Sequence, residues 1–162
     1  MMSQVFVSGH KSPDTDSIAA ALSYSYLKRR LGMDAVAVRA GEINKESRFA
    51  LDYFNLEEPI LVTSVERKNP EDEKQKVILV DHNESKQTID GMDDAEVLEI
   101  IDHHRFGDFE SENPIFILVR PVGCVNTVIY GLYKTNHIKP SREIAGIMLS
   151  AIISDTVLSL IH

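Results

Sequence analysis

The sequence predicts an α/β domain: a doubly wound, mainly parallel sheet with helices on both faces. Three observations point there. Short apolar runs alternate with segments of helical spacing along the chain. Most of those runs are apolar at every position, as strands covered on both sides are. Three of them pass directly into turns bearing Asp and His, at the sheet end where open α/β folds bind their ligands. At 162 residues, a single domain spanning 1–162 is expected.

The elements follow in order. "QVFVS" (4–8) reads as a buried strand. "DSIAAALSYSYLKRRLG", from Asp16, has helical spacing and a high alanine content, with Asp16 or Thr15 as cap and Gly32 past its end. "DAVAVRA" (34–40) is a second strand, "NKESRFALDYF" (44–54) a second helix and "PILV" (59–62) a third strand. The polar, Pro-containing run 63–76 reads as a surface connection. "VILVDH" (77–82) is a fourth strand, "AEVLEIIDHH" (95–104) ends in a fifth, and "PIFILVR" (114–120) is a sixth. Residues 123–135 and 141–154 are helical by spacing. No internal repeat interrupts this order.

Composition narrows the function. Apolar residues make up 43% and charged residues 26%, ordinary for a globular protein. No apolar run approaches the ~18–20 residues that span a bilayer, so no membrane partner is expected. "MMSQVFVSGH" carries no basic region of the kind that opens a secretory signal, and Cys124 is the lone cysteine. A reducing cytoplasmic location fits both. The formal net charge of −8 argues against a nucleic-acid-binding face, but not against a small phosphate substrate carried with cations.

The chemistry sits in "GHKSPDTDS" after the first strand, "VDHNE" after the fourth and "IDHHR" after the fifth; Asp155, in "AIISDT", adds a carboxylate at the end of an apolar helix. A turn needs only one or two polar residues. Four aspartates and two histidines (His10, Asp14, Asp16, Asp81, His103 and Asp155) exceed what one tetrahedral zinc uses. An oxygen-rich set with few imidazoles suits two hard octahedral ions, Mn²⁺ first, with Co²⁺ or Mg²⁺ possible. Asp14 and Asp16 lie two apart on a turn and can face different ions, with Asp81 placed to bridge them. Two ions ~3.5–4 Å apart form a clamp for phosphoryl displacement. A positioned general base contributes roughly 10²–10⁴-fold, far short of the ~10²¹-fold that phosphate ester hydrolysis can need.

In this order and spacing, the three motifs resemble the DHH superfamily of phosphoesterases, and among them the family II, manganese-dependent inorganic pyrophosphatases. The similarity runs from Val5 to about Thr156 and includes "PVG" (121–123) before a helix and the "SAIISDT" ending. The resemblance implies hydrolysis of pyrophosphate to two phosphates by a water or hydroxide bridging two Mn²⁺ ions. It makes His10, Asp14 and Asp81 ligands of one ion. Asp16, Asp81, His103 and Asp155 become ligands of the other. His104 becomes the catalytic donor facing the substrate phosphate, while His82 and Asp102 orient the ligands. It also implies a homodimer joined at sheet edges, and a second, substrate-gripping domain beyond His162 that this sequence does not contain. The 1–162 catalytic domain is then expected to be weakly active or inactive by itself.

Thr15 and "DHNE" favour a pyrophosphatase over the oligonucleotide-cleaving relatives, which usually carry glycine between the two aspartates. Ser12 departs from the asparagine usual before the proline. A DHH-type phosphodiesterase or exopolyphosphatase, and a non-catalytic metal-binding or dimerisation module, stay open as alternatives. Outside the motifs, His137 reads as a solvated loop residue, His162 as a disordered terminus, Cys124 as a small buried side chain, and Arg39, Arg105 and Arg120 as a solvated rim.

Overall fold

The structure, a computed structural model, describes residues 4–159, with the side chains of 4–156. His162 lies outside the described residues. Six parallel strands form one sheet: β1 (Val5–Ser8), β2 (Ala35–Arg39), β3 (Ile60–Leu61), β4 (Lys76–Val80), β5 (Glu96–Asp102) and β6 (Phe116–Val119). Their spatial order is β3-β2-β1-β4-β5-β6. From β1 the chain runs outward to β2 and β3, and from β4 it runs the other way to β5 and β6. The crevice where that order reverses opens beyond the carboxyl ends of β1 and β4.

Four α-helices are described: α1 (Thr15–Arg30), α2 (Lys45–Tyr53), α3 (Val125–Thr135) and α4 (Arg142–Ser159). α1 is buried on almost every side, which explains its run of Ala and Ser. Ala20, Ala21, Tyr24 and Leu27 pack on Val5, Val7, Ile78 and Val80 of the sheet together with residues of α3 and α4. Ile18 and Ala19 pack instead with Ala50 and Leu51 of α2 and Ile147 and Ala151 of α4. Each fully buried Leu or Ile here contributes about 1.5–3 kcal/mol.

The parallel α/β architecture is the expected one, and the two faces of the sheet differ in their cover. On the second face, Val38, Val77, Leu79 and Ile100 are covered by Val62, Val65, Ile89, Met92, Phe109 and Ile115. Among the described residues, helix appears there only as two single 3₁₀ turns, Ser85–Gln87 and Met92–Asp94. The expected surface connection 63–76 therefore sends Val65 into the core.

Two local expectations are corrected. The cap of α1 is Asp14, not Asp16 or Thr15: its carboxylate accepts from the Ser17 amide at 2.9 Å. Gly32, at φ 91°, does follow the helix end. Arg39 is not on a solvated rim but buried, because its guanidinium donates to the carbonyls of Pro59 and Gly41, at 3.1 and 2.8 Å, where β2 hands over to β3. Arg105, Arg120 and His137 are exposed as expected, and Cys124 is buried.

Candidate metal centre

The crevice is lined by the turn after β1, the turn after β4, the end of β5, the start of α3 and the last turns of α4. The β1 turn approaches α1 closely. A Cβ on Gly9 would lie 2.7 Å from that of Ser17, so only glycine lets the turn close. The Lys11 amide donates to Gln87 O at 2.8 Å, fixing the same turn to the neighbouring 3₁₀ turn.

Asp81 is the centre of the arrangement. It leaves β4 at φ 62°, a left-handed conformation that costs a non-glycine residue of order 1 kcal/mol and that clusters at functional sites. Its amide still donates to Ile101 O at 3.0 Å. Its carboxylate is almost fully buried, and the two oxygens face opposite ways. Oδ2 lies 3.4 Å from His10 Nε2 and accepts from Ser17 Oγ at 2.9 Å. Oδ1 lies 3.1 Å from His103 Nε2.

The other expected residues are placed on either side. Asp14 Oδ1 is 3.7 Å from His10 Nε2, and donor atoms of His10, Asp14 and Asp81 gather within 4.8 Å of one another. Across Asp81, His103 Nε2 is 3.5 Å from Asp16 Oδ2. Asp16 in turn lies within 4.8 Å of Asp155, carried by α4, and of Cys124. All six residues therefore reach one crevice.

The ring of His103 is anchored at one nitrogen and aimed with the other. Its Nδ1–H donates to Val122 O at 2.8 Å, which turns Nε2 toward the carboxylates of Asp81 and Asp16. Backbone anchoring of one imidazole nitrogen with the other aimed into a carboxylate cluster is the habit of metal-binding histidines. His104 is held differently: its Nδ1 donates to Asp102 Oδ1 at 2.8 Å, while half of its side chain stays exposed. Asp102 is itself fixed by Asn83 Nδ2 at 2.6 Å and by the His103 amide at 2.7 Å. His82 donates from Nδ1 to Val80 O at 2.9 Å, and its Nε2 is a buried atom without a partner.

Electrostatics make the same point. Burial alone would pull His103 and His10 down, but hydrogen bonds to the neighbouring aspartates outweigh it and push them up to about 9 and about 10. Asp81 is held well below the usual carboxylate range, since His10, His103 and Ser17 overcome the burial that opposes ionisation. Asp16 is pushed up to about 7 by burial and by the charge on Asp81. Asp155 is raised by burial and by Asp14 and Asp81. The shifts of Asp16 and Asp155 mark a place where negative charge is crowded and a cation would be welcome. A set of four aspartates and two imidazoles, with one carboxylate facing both sides, fits hard divalent cations.

The structure adds partners that the motifs do not reveal. Ser17 braces Asp81, and Asn83 braces Asp102. Cys124 and Asn126 bind Asp16, and Glu46 of α2 accepts from both Thr15 and Ser154, the latter at 2.9 Å. Each of these contacts joins residues far apart in sequence or on separate elements. Only the short polar residues clustered near each motif hint at them.

Known proteins resemble this chain in sequence and in fold. A protein named "Probable manganese-dependent inorganic pyrophosphatase" from Exiguobacterium sp. is 50% identical over 97% of this chain and 49% of its own length. One of the same name from Bacillus licheniformis is 51% identical over the same shares. The chain thus spans about half the length of the curated relatives it matches. Among solved structures, a candidate family II inorganic pyrophosphatase of Methanococcus jannaschii superposes with a TM-score of 0.83 at 39% identity, over 96% of this chain and 50% of that one. An exopolyphosphatase-related protein of Bacteroides fragilis shares the fold, at a TM-score of 0.66 and 18% identity over 96% of this chain and 46% of that one. The model of the DHH family's N-terminal domain matches residues 4–152, and the chain belongs to that family.

Proposed function

We propose that this chain is the metal-binding half of a manganese-dependent inorganic pyrophosphatase. One observation carries the reading: the two oxygens of Asp81 face His10 and His103 separately, across a left-handed turn at the sheet's switch point. His10, Asp14 and Asp81 would hold one Mn²⁺. Asp16, Asp81, His103 and Asp155 would hold a second. Such a pair supplies charge for the phosphoryl oxygens and lowers the pKa of water from about 15.7 toward 7. The chain's own residues supply the rest. Val122 O fixes the ring of His103, and Asp102 orients His104 so that its half-exposed ring can hydrogen-bond a phosphate and give a proton to the leaving group.

The described residues offer few free cations beside the crevice. Lys11 pairs with Asp90 at 2.5 Å and Arg105 with Glu84 at 3.5 Å. The grip on the leaving phosphate would then come from a second domain of a longer protein, and the chain alone would turn over slowly. A homodimer joined at β6 is supported by its open edge, where Phe116 and Ile117 are 49% and 43% exposed. The single buried thiol suits a cytoplasmic setting. Among the described residues no helix is long and apolar enough to cross a membrane.

The test is a Mn²⁺ titration of this chain with parallel release assays on pyrophosphate, a dinucleotide and polyphosphate. Two ions per chain and a preference for pyrophosphate are expected. Asp81→Asn should lose the paired site and cut affinity by more than the roughly 10–100-fold that removal of an outer partner costs. Preference for the dinucleotide would favour a phosphodiesterase. Metal binding without hydrolysis of any of the three, even with the rest of a longer relative supplied, would favour a non-catalytic module.

A further inference from the structure

The carboxylate of Asp16 is held by a cradle of four donors built at the start of α3. Oδ1 accepts from Cys124 Sγ at 2.8 Å, from Asn126 Nδ2 at 2.6 Å and from the Asn126 amide at 3.3 Å. Oδ2 accepts from the Val125 amide at 2.8 Å and points toward His103 Nε2, 3.5 Å away. Asn126 also donates from Nδ2 to the backbone carbonyl of Asp16 at 3.1 Å.

The orientation of that amide is determined. Ser23 Oγ donates to Asn126 Oδ1 at 3.0 Å, so Nδ2 is the end that faces Asp16. Ser23, Asn126 and Asp16 are all buried. α3 has no side-chain cap of its own at Cys124. Asp16, from α1, serves as that cap by taking the first amides of the helix. One carboxylate thus has two duties, ending α3 and facing His103.

We infer that Asn126 is a positioning residue for the metal centre: by occupying Oδ1 of Asp16 it leaves Oδ2 as the single oxygen offered to the ion on the His103 side. The inference rests on the paired-ion reading above and adds a residue that none of the three motifs contains. An oxygen already accepting three hydrogen bonds has no lone pair left for a cation, whereas Oδ2 accepts one. Asn126→Ala removes the 2.6 Å hydrogen bond on Oδ1 while Cys124 Sγ and the two backbone amides remain, so the carboxylate is less firmly set and can turn Oδ1 toward the ion.

The experiment is a two-site Mn²⁺ titration of the metal-free chain by calorimetry, with electron paramagnetic resonance to detect the coupled ion pair. Wild type, Asn126→Ala and Ser23→Ala are compared, and thermal unfolding of each metal-free protein is recorded. Asn126→Ala should weaken one of the two sites by roughly 10–100-fold and leave the other unchanged, with loss of the coupled signal at limiting Mn²⁺. Ser23→Ala, which keeps the donors but frees the amide to turn, should weaken the same site by a smaller factor. If Asn126→Ala lowers the unfolding temperature while both affinities stay within about two-fold of wild type, the residue is merely structural and the inference fails. It fails equally if both sites weaken together. A wild type that binds fewer than two ions would instead sink the paired-ion reading, and this inference with it. Should Asn126→Ala not fold, Ser23→Ala decides by the same criteria.

Discussion

Ser17 and Asp81, 64 residues apart in sequence, meet at 2.9 Å, the serine hydroxyl donating to Oδ2 of the buried carboxylate. Ser17 also receives the His10 amide on its hydroxyl, at 3.3 Å, and gives its own amide to Asp14. One small residue, through its hydroxyl and its amide, therefore joins three of the residues proposed to hold metal. It does so without being a ligand itself.

Ser17→Ala should accordingly destabilise the metal-free chain. A hydrogen bond to a charged group contributes about 1.5–3 kcal/mol, and its loss leaves a buried carboxylate short of a donor. For a chain of this size that corresponds to a fall in unfolding temperature of roughly 3–12 °C, measured by scanning calorimetry in a chelator. An unchanged midpoint would mean that Asp81 is held by His10 and His103 alone.

Much of this was legible before any coordinates. β1, β4 and β5 announce themselves as largely apolar runs, and each candidate ligand before α4 stands in the polar segment that directly follows one of them. What the sequence hides is the company those ligands keep. Asn83, Asn126 and Ser17 look like ordinary turn or helix residues, and only the folded sheet brings each to its carboxylate. The cover of the second face is hard to read for a related reason. "ESKQTIDGMDDA" (84–95) has no helical period, yet Ile89 and Met92 still find the core as isolated anchors between single turns. Arg39 reads as a surface cation until the neighbouring carbonyls of Pro59 and Gly41 are seen to need its donors.

Metal should stabilise this fold strongly. Asp14, Asp16, Asp81 and Asp155 come from the β1 turn, α1, the β4 turn and α4, so an ion bound among them ties together elements distant in sequence. At a free concentration 100 times the dissociation constant, one ion adds about 2.7 kcal/mol, or roughly 5–10 °C. Thermal scans across a Mn²⁺ series should show the midpoint climbing with the logarithm of concentration, and a chelator should reverse it. A midpoint indifferent to Mn²⁺ would count against binding by the native state.

Gly41 supplies the sharpest test of the turn that carries His10. It follows β2, and a Cβ placed on it would lie 2.0 Å from Lys11 O and 3.0 Å from Pro13 Cδ. The first of these is backbone and cannot swing aside, so Gly41→Ala must push Lys11–Pro13 away from β2. Overpacking of this kind costs about 1–3 kcal/mol. The displaced segment lies between His10 and Asp14, so the geometry of the first proposed ion should suffer while that of the second, through Asp16 and Asp155, is spared. Gly41→Ala is thus expected to weaken the Mn²⁺ site opposite to the one weakened by Asn126→Ala. Mutants that weakened the same site would show that the two ion positions are not divided across Asp81.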